Sequence, residues 1–74
     1  MNNIVIAFPK KEVANSIKKI LAQSGYTVTA VANTGASALS SMNGLNMGII
    51  ICGYRFSDMM YSEIYVYMPK EFQM

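Results

Sequence analysis

The chain has 74 residues, 53% of them hydrophobic and 14% charged, and carries a net charge of +2. That is one domain at most, and a chain this short buries only about 60% of the surface its unfolded form exposes. One cysteine, Cys52, excludes an internal disulfide, and the lack of histidine leaves no ordinary zinc ligand set.

No apolar run approaches the ~20 residues that span a bilayer. Met1-Asn2-Asn3 puts no positive cluster ahead of the first apolar stretch, so the start does not read as a secretion signal. With a lone thiol as well, the reducing cytoplasm is the expected compartment.

Asn3 to Phe8 is a short β-branched run stopped by Pro9. Its continuous apolarity predicts a strand covered on both faces, as in a parallel sheet. Val13, Ile17, Ile20 and Leu21 then recur at helical spacing, with Lys11, Asn15, Lys18 and Lys19 pointing elsewhere. Gly25 is placed to end that helix in a left-handed conformation. Tyr26 to Val31 alternates as a second strand, one suited to an edge.

Asn33-Thr34-Gly35 supplies turn and capping chemistry before a short helix from about Ala36 to Met42, whose apolar side is Ala38, Leu39 and Met42. Asn43-Gly44 is expected to end it. Gly48 to Cys52 reads as the most buried strand. A loop through Gly53 to Ser57 leads to a third helical segment, about Asp58 to Met68, stopped by Pro69. Glu71 to Met74 reads as the start of a fourth strand. Strands alternating with helices over short connections imply parallel pairing through right-handed crossovers, hence an open α/β sheet.

Several segments together resemble the receiver domain of two-component response regulators, a flavodoxin-like fold. They are Ile4-Val5-Ile6-Ala7, Ile17-Lys18-Lys19-Ile20-Leu21, Ser24-Gly25-Tyr26-Thr27-Val28, Ala32 through Leu39, and Ile49-Ile50-Ile51 with Tyr54 through Met59. The resemblance covers nearly the whole chain and corresponds to the N-terminal half of such a domain. It implies the strand order 2-1-3, a stub of strand four beside strand three, helix one on one face, and helices two and three on the other. Residues 1–74 are then a single incomplete receiver-like domain.

The family holds magnesium with two acids at the end of the first strand and accepts a phosphoryl group on an aspartate ending the third. Here the first pair falls on Phe8 and Pro9, and the acceptor position on Gly53, or on Cys52 with a slip of one residue. Magnesium prefers carboxylate oxygens, and an aspartyl-phosphate needs a carboxylate nucleophile. The resemblance therefore implies a pseudo-receiver with no catalytic residue, no metal and no cofactor.

Other features carry simpler expectations. Asp58 is the one carboxylate near the expected site mouth, and its simplest role is to cap the third helix. Glu12 complements the dipole of the first helix. Cys52 is expected to be an inert strand thiol. Lys10, Lys11, Lys18 and Lys19 form a solvated helix face, with nucleic-acid binding as the alternative. The third helical segment is apolar nearly all round, so Tyr61, Ile64, Tyr65 and Met68 serve either the core or a subunit contact.

The expected function is phosphorylation-independent signalling by protein contact, through self-association into a homo-oligomer or with an output domain. The alternatives are a phosphoaccepting receiver with an atypical acceptor and a basic-helix nucleic-acid-binding module. Nucleic acid otherwise enters only through a further domain.

Overall fold

Four strands, β1 (Ile4–Ala7), β2 (Ala30–Ala32), β3 (Met47–Cys52) and β4 (Glu71–Gln73), form one open sheet in the order β2-β1-β3-β4. Every pairing is parallel, with Val5 opposite Ala30 and Ile50, and Gly48 opposite Phe72. The helices are α1 (Lys11–Gln23), α2 (Gly35–Leu45) and α3 (Tyr61–Tyr67). This computed structural model describes residues 3–74; Met1 and Asn2, part of the segment read for a secretion signal, lie outside the described residues. The class, the 2-1-3 order and the fourth strand beside the third agree with the reading of the sequence. No helix among the described residues is long and apolar enough to cross a membrane.

The two faces of the sheet are covered unequally. Because side chains alternate along a strand, Val5, Ala7, Ala32, Ile50 and Phe72 share one face, where they pack with Ala38 and Met42 of α2 and Ile64 of α3. Ile6 points to the other face and is fully buried there, on the strand that α1 contacts. With one helix on that face, much of its apolar surface stays open: Ile49 is 38% exposed, and Val13 and Ile20 of α1 are 40% and 60% exposed. The helical stripe read from the sequence is real, but only Ala14 of α1 is fully buried. The most buried strand is β1 rather than β3, because α1 and α2 both pack on β1 while only Ile50 of β3 is fully enclosed.

Polar contacts lock the N-terminal ends of the strands. The Asn3 side chain donates to the Met47 carbonyl (3.0 Å) and accepts from the Thr29 hydroxyl (3.4 Å), while the Asn3 carbonyl accepts from the Ile49 amide (2.8 Å). A residue before β1 thereby ties together the starts of β2 and β3.

Three element boundaries differ from expectation by more than one residue. β2 begins only at Ala30, since Tyr26 to Val28 lie outside the ladder and Thr29 joins the Asn3 contacts. α2 runs through Asn43-Gly44 to Leu45, because Leu45 packs against the core and holds the last turn. Asn46, at φ 73°, ends it, donating its amide to the Met42 carbonyl (2.8 Å). α3 starts at Tyr61 rather than Asp58. Gly25 does end α1: at φ 90° it donates to Ala22, and Tyr26 donates to Leu21, the two bonds of a Schellman motif.

Candidate functional site

In this strand order the chain reverses direction across the sheet between β1 and β3. β1 leads through α1 out to β2, while β3 leads the other way through α3 to β4. Such a reversal opens a crevice beyond the carboxyl ends of the two strands, the usual ligand position in open α/β sheets. Phe8 and Pro9 follow β1 into that crevice, and Gly53 follows β3.

Phe8, Pro9 and Gly53 meet. The Gly53 amide donates to the Ala7 carbonyl (2.8 Å), extending the β1–β3 ladder by one residue. A Cβ on Gly53 would sit 3.0 Å from the Phe8 ring and 3.3 Å from the Pro9 ring. Glycine lets the half-buried Phe8 ring lie close against β3, where a larger residue would push it aside. Phe8, Pro9, Val13 and Gly53 floor an open groove of about 320 Å³, with Lys10, Tyr54 and Arg55 on its lips. A smaller hollow of about 170 Å³ lies toward β2, with Phe8 and Lys11 in its wall.

Asp58 turns away from this groove. The loop after β3 folds on itself: the Phe56 amide donates to Met59, the Tyr61 amide donates to Tyr54, and Arg55 bridges antiparallel to Met60. Phe56 is thereby buried, and the loop tip reaches α2. The Asp58 carboxylate accepts from the Gly35 amide (2.8 Å) and the Ala36 amide (2.9 Å). Thr34 accepts from Ser37 (3.1 Å) at the same helix end. Bonds from Ala36 and then Gly35 hold the Asp58 carboxyl below the ordinary carboxylate range. Asp58 therefore caps α2, not α3 as its local position suggests; α3 begins without any side-chain cap.

Cys52, at the end of β3, is half-buried. Its thiol donates to the Gly53 carbonyl (3.2 Å), and burial pushes its pKa up, the opposite of an activated thiol. Among the described residues, no three His, Cys, Asp or Glu side chains gather closely enough to hold a metal ion.

On α3 and at Met68 just after it, the four candidate contact residues separate. Ile64 is fully buried in the core, so of the two roles left open it takes packing: it lies among α2 and the sheet. Met68 is half-buried against the same core. Tyr61 and Tyr65 are 41% and 61% exposed, and the next two residues, Val66 and Tyr67, are exposed as well. Tyr61 also packs on Tyr54 with ring centroids 5.3 Å apart. A larger, shallow groove of about 540 Å³ runs between α3 and β4, walled by Tyr65, Val66, Phe72 and Met74. Its lining holds a single cation, Lys70, where the β1–β3 crevice has two from different strands.

Compared with known proteins, the chain matches no family model, no curated protein and no solved structure. Its functional reading rests on its own residues. One pairing is invisible segment by segment: Lys10 and Arg55 flank the same groove. A signal for it exists, since each residue stands a few positions beyond the end of a strand, and the 2-1-3 order makes those strands neighbours.

Proposed function

We propose that this chain is a receiver-like signalling module that acts by protein contact rather than by accepting a phosphoryl group. The observation that carries this reading is the crevice between the ends of β1 and β3, occupied by Phe8, Pro9 and Gly53 where phosphotransfer would need carboxylates. Phosphoryl transfer to a protein acid needs a carboxylate nucleophile and cations held by further carboxylates. The one acid of the neighbouring loop, Asp58, has both oxygens engaged by the start of α2, which counts against an atypical acceptor there.

Contact is supported by what the surface exposes. Tyr65, Val66 and Tyr67 on α3, and Ile20 and Ile49 on the opposite layer, present large apolar side chains to solvent. Aromatic residues and methionine are enriched where proteins bury surface against each other. The partner is a second copy or an output domain.

The test is incubation with magnesium and a small acyl phosphate, followed by intact-mass measurement. No phosphoryl adduct should form. An adduct that disappears in Asp58→Asn would overturn the reading. In sedimentation velocity the apparent mass should rise with concentration, and Tyr65→Ser combined with Val66→Ser should reduce that rise.

A further inference from the structure

We propose that the groove beyond β1 and β3 binds a small organic anion with a flat apolar body, of the chemical class of an aromatic carboxylate. This goes beyond the contact reading and stands independently of it, on the groove and its charges.

The first ground is the sign of the site. Lys10, just beyond β1, and Arg55, just beyond β3, line the groove from the two strands, and among the described residues no carboxylate lines it. Glu12 is close in sequence but is not part of the lining, and Asp58 is held at α2. A crevice of this position and charge attracts an anion and repels a divalent cation. Lysine acts as a point charge, whereas the arginine fork presents paired donors that match a carboxylate.

The second ground is the floor. Phe8, Pro9, Val13 and Gly53 offer carbon surface with almost no competing polar group. Gly53 matters because its missing side chain lets the Phe8 and Pro9 rings pack close against the end of β3 and form that surface. The Tyr54 ring is 65% exposed at the lip and is already packed on Tyr61, so it offers a preformed face for stacking. Inorganic anions would use the cations and waste the floor; neutral aromatics would use the floor and waste the cations. At about 320 Å³ the groove lies at the small end of ligand pockets, which suits one or two fused rings.

The test is a titration of the full chain, followed by amide chemical shifts, with 2-naphthoate as probe. Its neutral counterpart 2-naphthylmethanol and acetate serve as controls. The expected result is saturable binding of 2-naphthoate, with shifts centred on Lys10, Gly53 and Tyr54. Lys10→Gln and Arg55→Gln should each weaken it about three- to fivefold, the range for partly exposed charge pairs. Both side chains are exposed, so unchanged thermal melting should accompany the loss. Three outcomes would overturn the assignment: no saturable shift at millimolar probe, equal binding of the neutral alcohol with both variants unchanged, or shifts centred on the groove between α3 and β4. Equal binding of acetate would also overturn it, since the apolar body would then contribute nothing.

Discussion

The Asp58 carboxylate lies 2.8 Å from the Gly35 backbone nitrogen, across 23 residues of chain, and fastens the loop after β3 to the first turn of α2. Gly35 is suited to this role because a Cβ there would overlap Met59, the neighbour of Asp58. The two glycine–loop contacts, one polar and one steric, set where the loop comes to rest. Its placement in turn carries Tyr54 and Arg55 to the lip of the groove.

Acid should therefore loosen this clasp. Hydrogen bonds from Ala36 and Gly35 hold the Asp58 pKa below its unfolded value. The stabilisation is then complete above the unfolded aspartate pKa, about 3.9. It declines as pH falls below that value and is gone once pH passes the lower folded pKa. At pH 7, Asp58→Ala should melt at a lower temperature than the unaltered protein, with Asp58→Asn between them because its amide oxygen still accepts one bond. The gap between Asp58→Ala and the unaltered chain should close as pH falls below about 3.9. A gap that stays constant from pH 7 to pH 2 would show that the carboxylate is not the source.

Glycine-to-alanine substitution should act with opposite sign at two positions. Gly48 adopts φ 148°, and a Cβ there would overlap the Asn3 carbonyl, which is itself bonded to Ile49. Neither backbone can yield, so Gly48→Ala should cost about 1–3 kcal/mol in urea unfolding. Gly44 lies inside α2 with open space around its Cβ direction. Gly44→Ala should stabilise by about 0.5–1 kcal/mol, through helix propensity and a less free unfolded chain.

Most of the fold can be read from local pattern. β1 and β3 stand out as continuous β-branched runs, and Gly25 marks the end of α1 where a left-handed residue is needed. Three features depend on tertiary contacts and stay hidden. Tyr26 to Val31 alternates like a strand, yet only its end pairs: the Thr29 amide donates to the Ile4 carbonyl, and the ladder runs from Ala30. Asn43-Gly44 looks like a stop, yet the packing of Leu45 carries the helix on. Asp58 looks like a local cap, but sequence alone does not tell which helix a capping acid serves. The candidate site is half legible: strand ends locate Phe8, Pro9 and Gly53, whereas the convergence of Lys10 and Arg55 needs the sheet order.

Neighbouring residues on α3 should differ sharply in their effect on stability. Ile64 is fully buried among α2 and the sheet, while Tyr65 is 61% exposed. Ile64→Ala should cost about 2–5 kcal/mol, the range for emptying a packed core site. Domains hold only roughly 0.05–0.15 kcal/mol per residue, which brings this variant close to complete unfolding. Ile64→Val, at about 0.5–1.5 kcal/mol, keeps the comparison measurable. Tyr65→Ala should fall within about 0.5 kcal/mol of the unaltered chain when measured at low protein concentration.

Cys52 should be a slow thiol. Burial raises its pKa, so at any pH below that raised value its thiolate fraction is smaller than that of an ordinary cysteine. Reaction with a disulfide reagent at pH 7 should be slower in the folded chain than in urea, and should accelerate as pH is raised. Equal rates folded and unfolded would mean that the end of β3 opens freely. The same measurement therefore reports on the integrity of the strand that leads into the groove.

The strictest check on the receiver-like reading is to place an acid at the end of β3. Gly53 is not among the residues at positive φ, so an aspartate is conformationally admissible there. Its Cβ would press on the Phe8 ring at 3.0 Å, an overpacking that should cost about 1–3 kcal/mol if the ring cannot shift fully. Gly53→Asp alone should still form no phosphoryl adduct with magnesium and a small acyl phosphate. A lone carboxylate would have Lys10 and Arg55 nearby but no second acid to hold the metal, since Phe8 and Pro9 supply no ligand. Adding Phe8→Asp and Pro9→Asp should introduce a magnesium-dependent change in the amide shifts around Gly53→Asp, because three carboxylates would then converge at the strand ends. An adduct on the single variant would show that the cations at the lips suffice, and that acids at the end of β1 are not required.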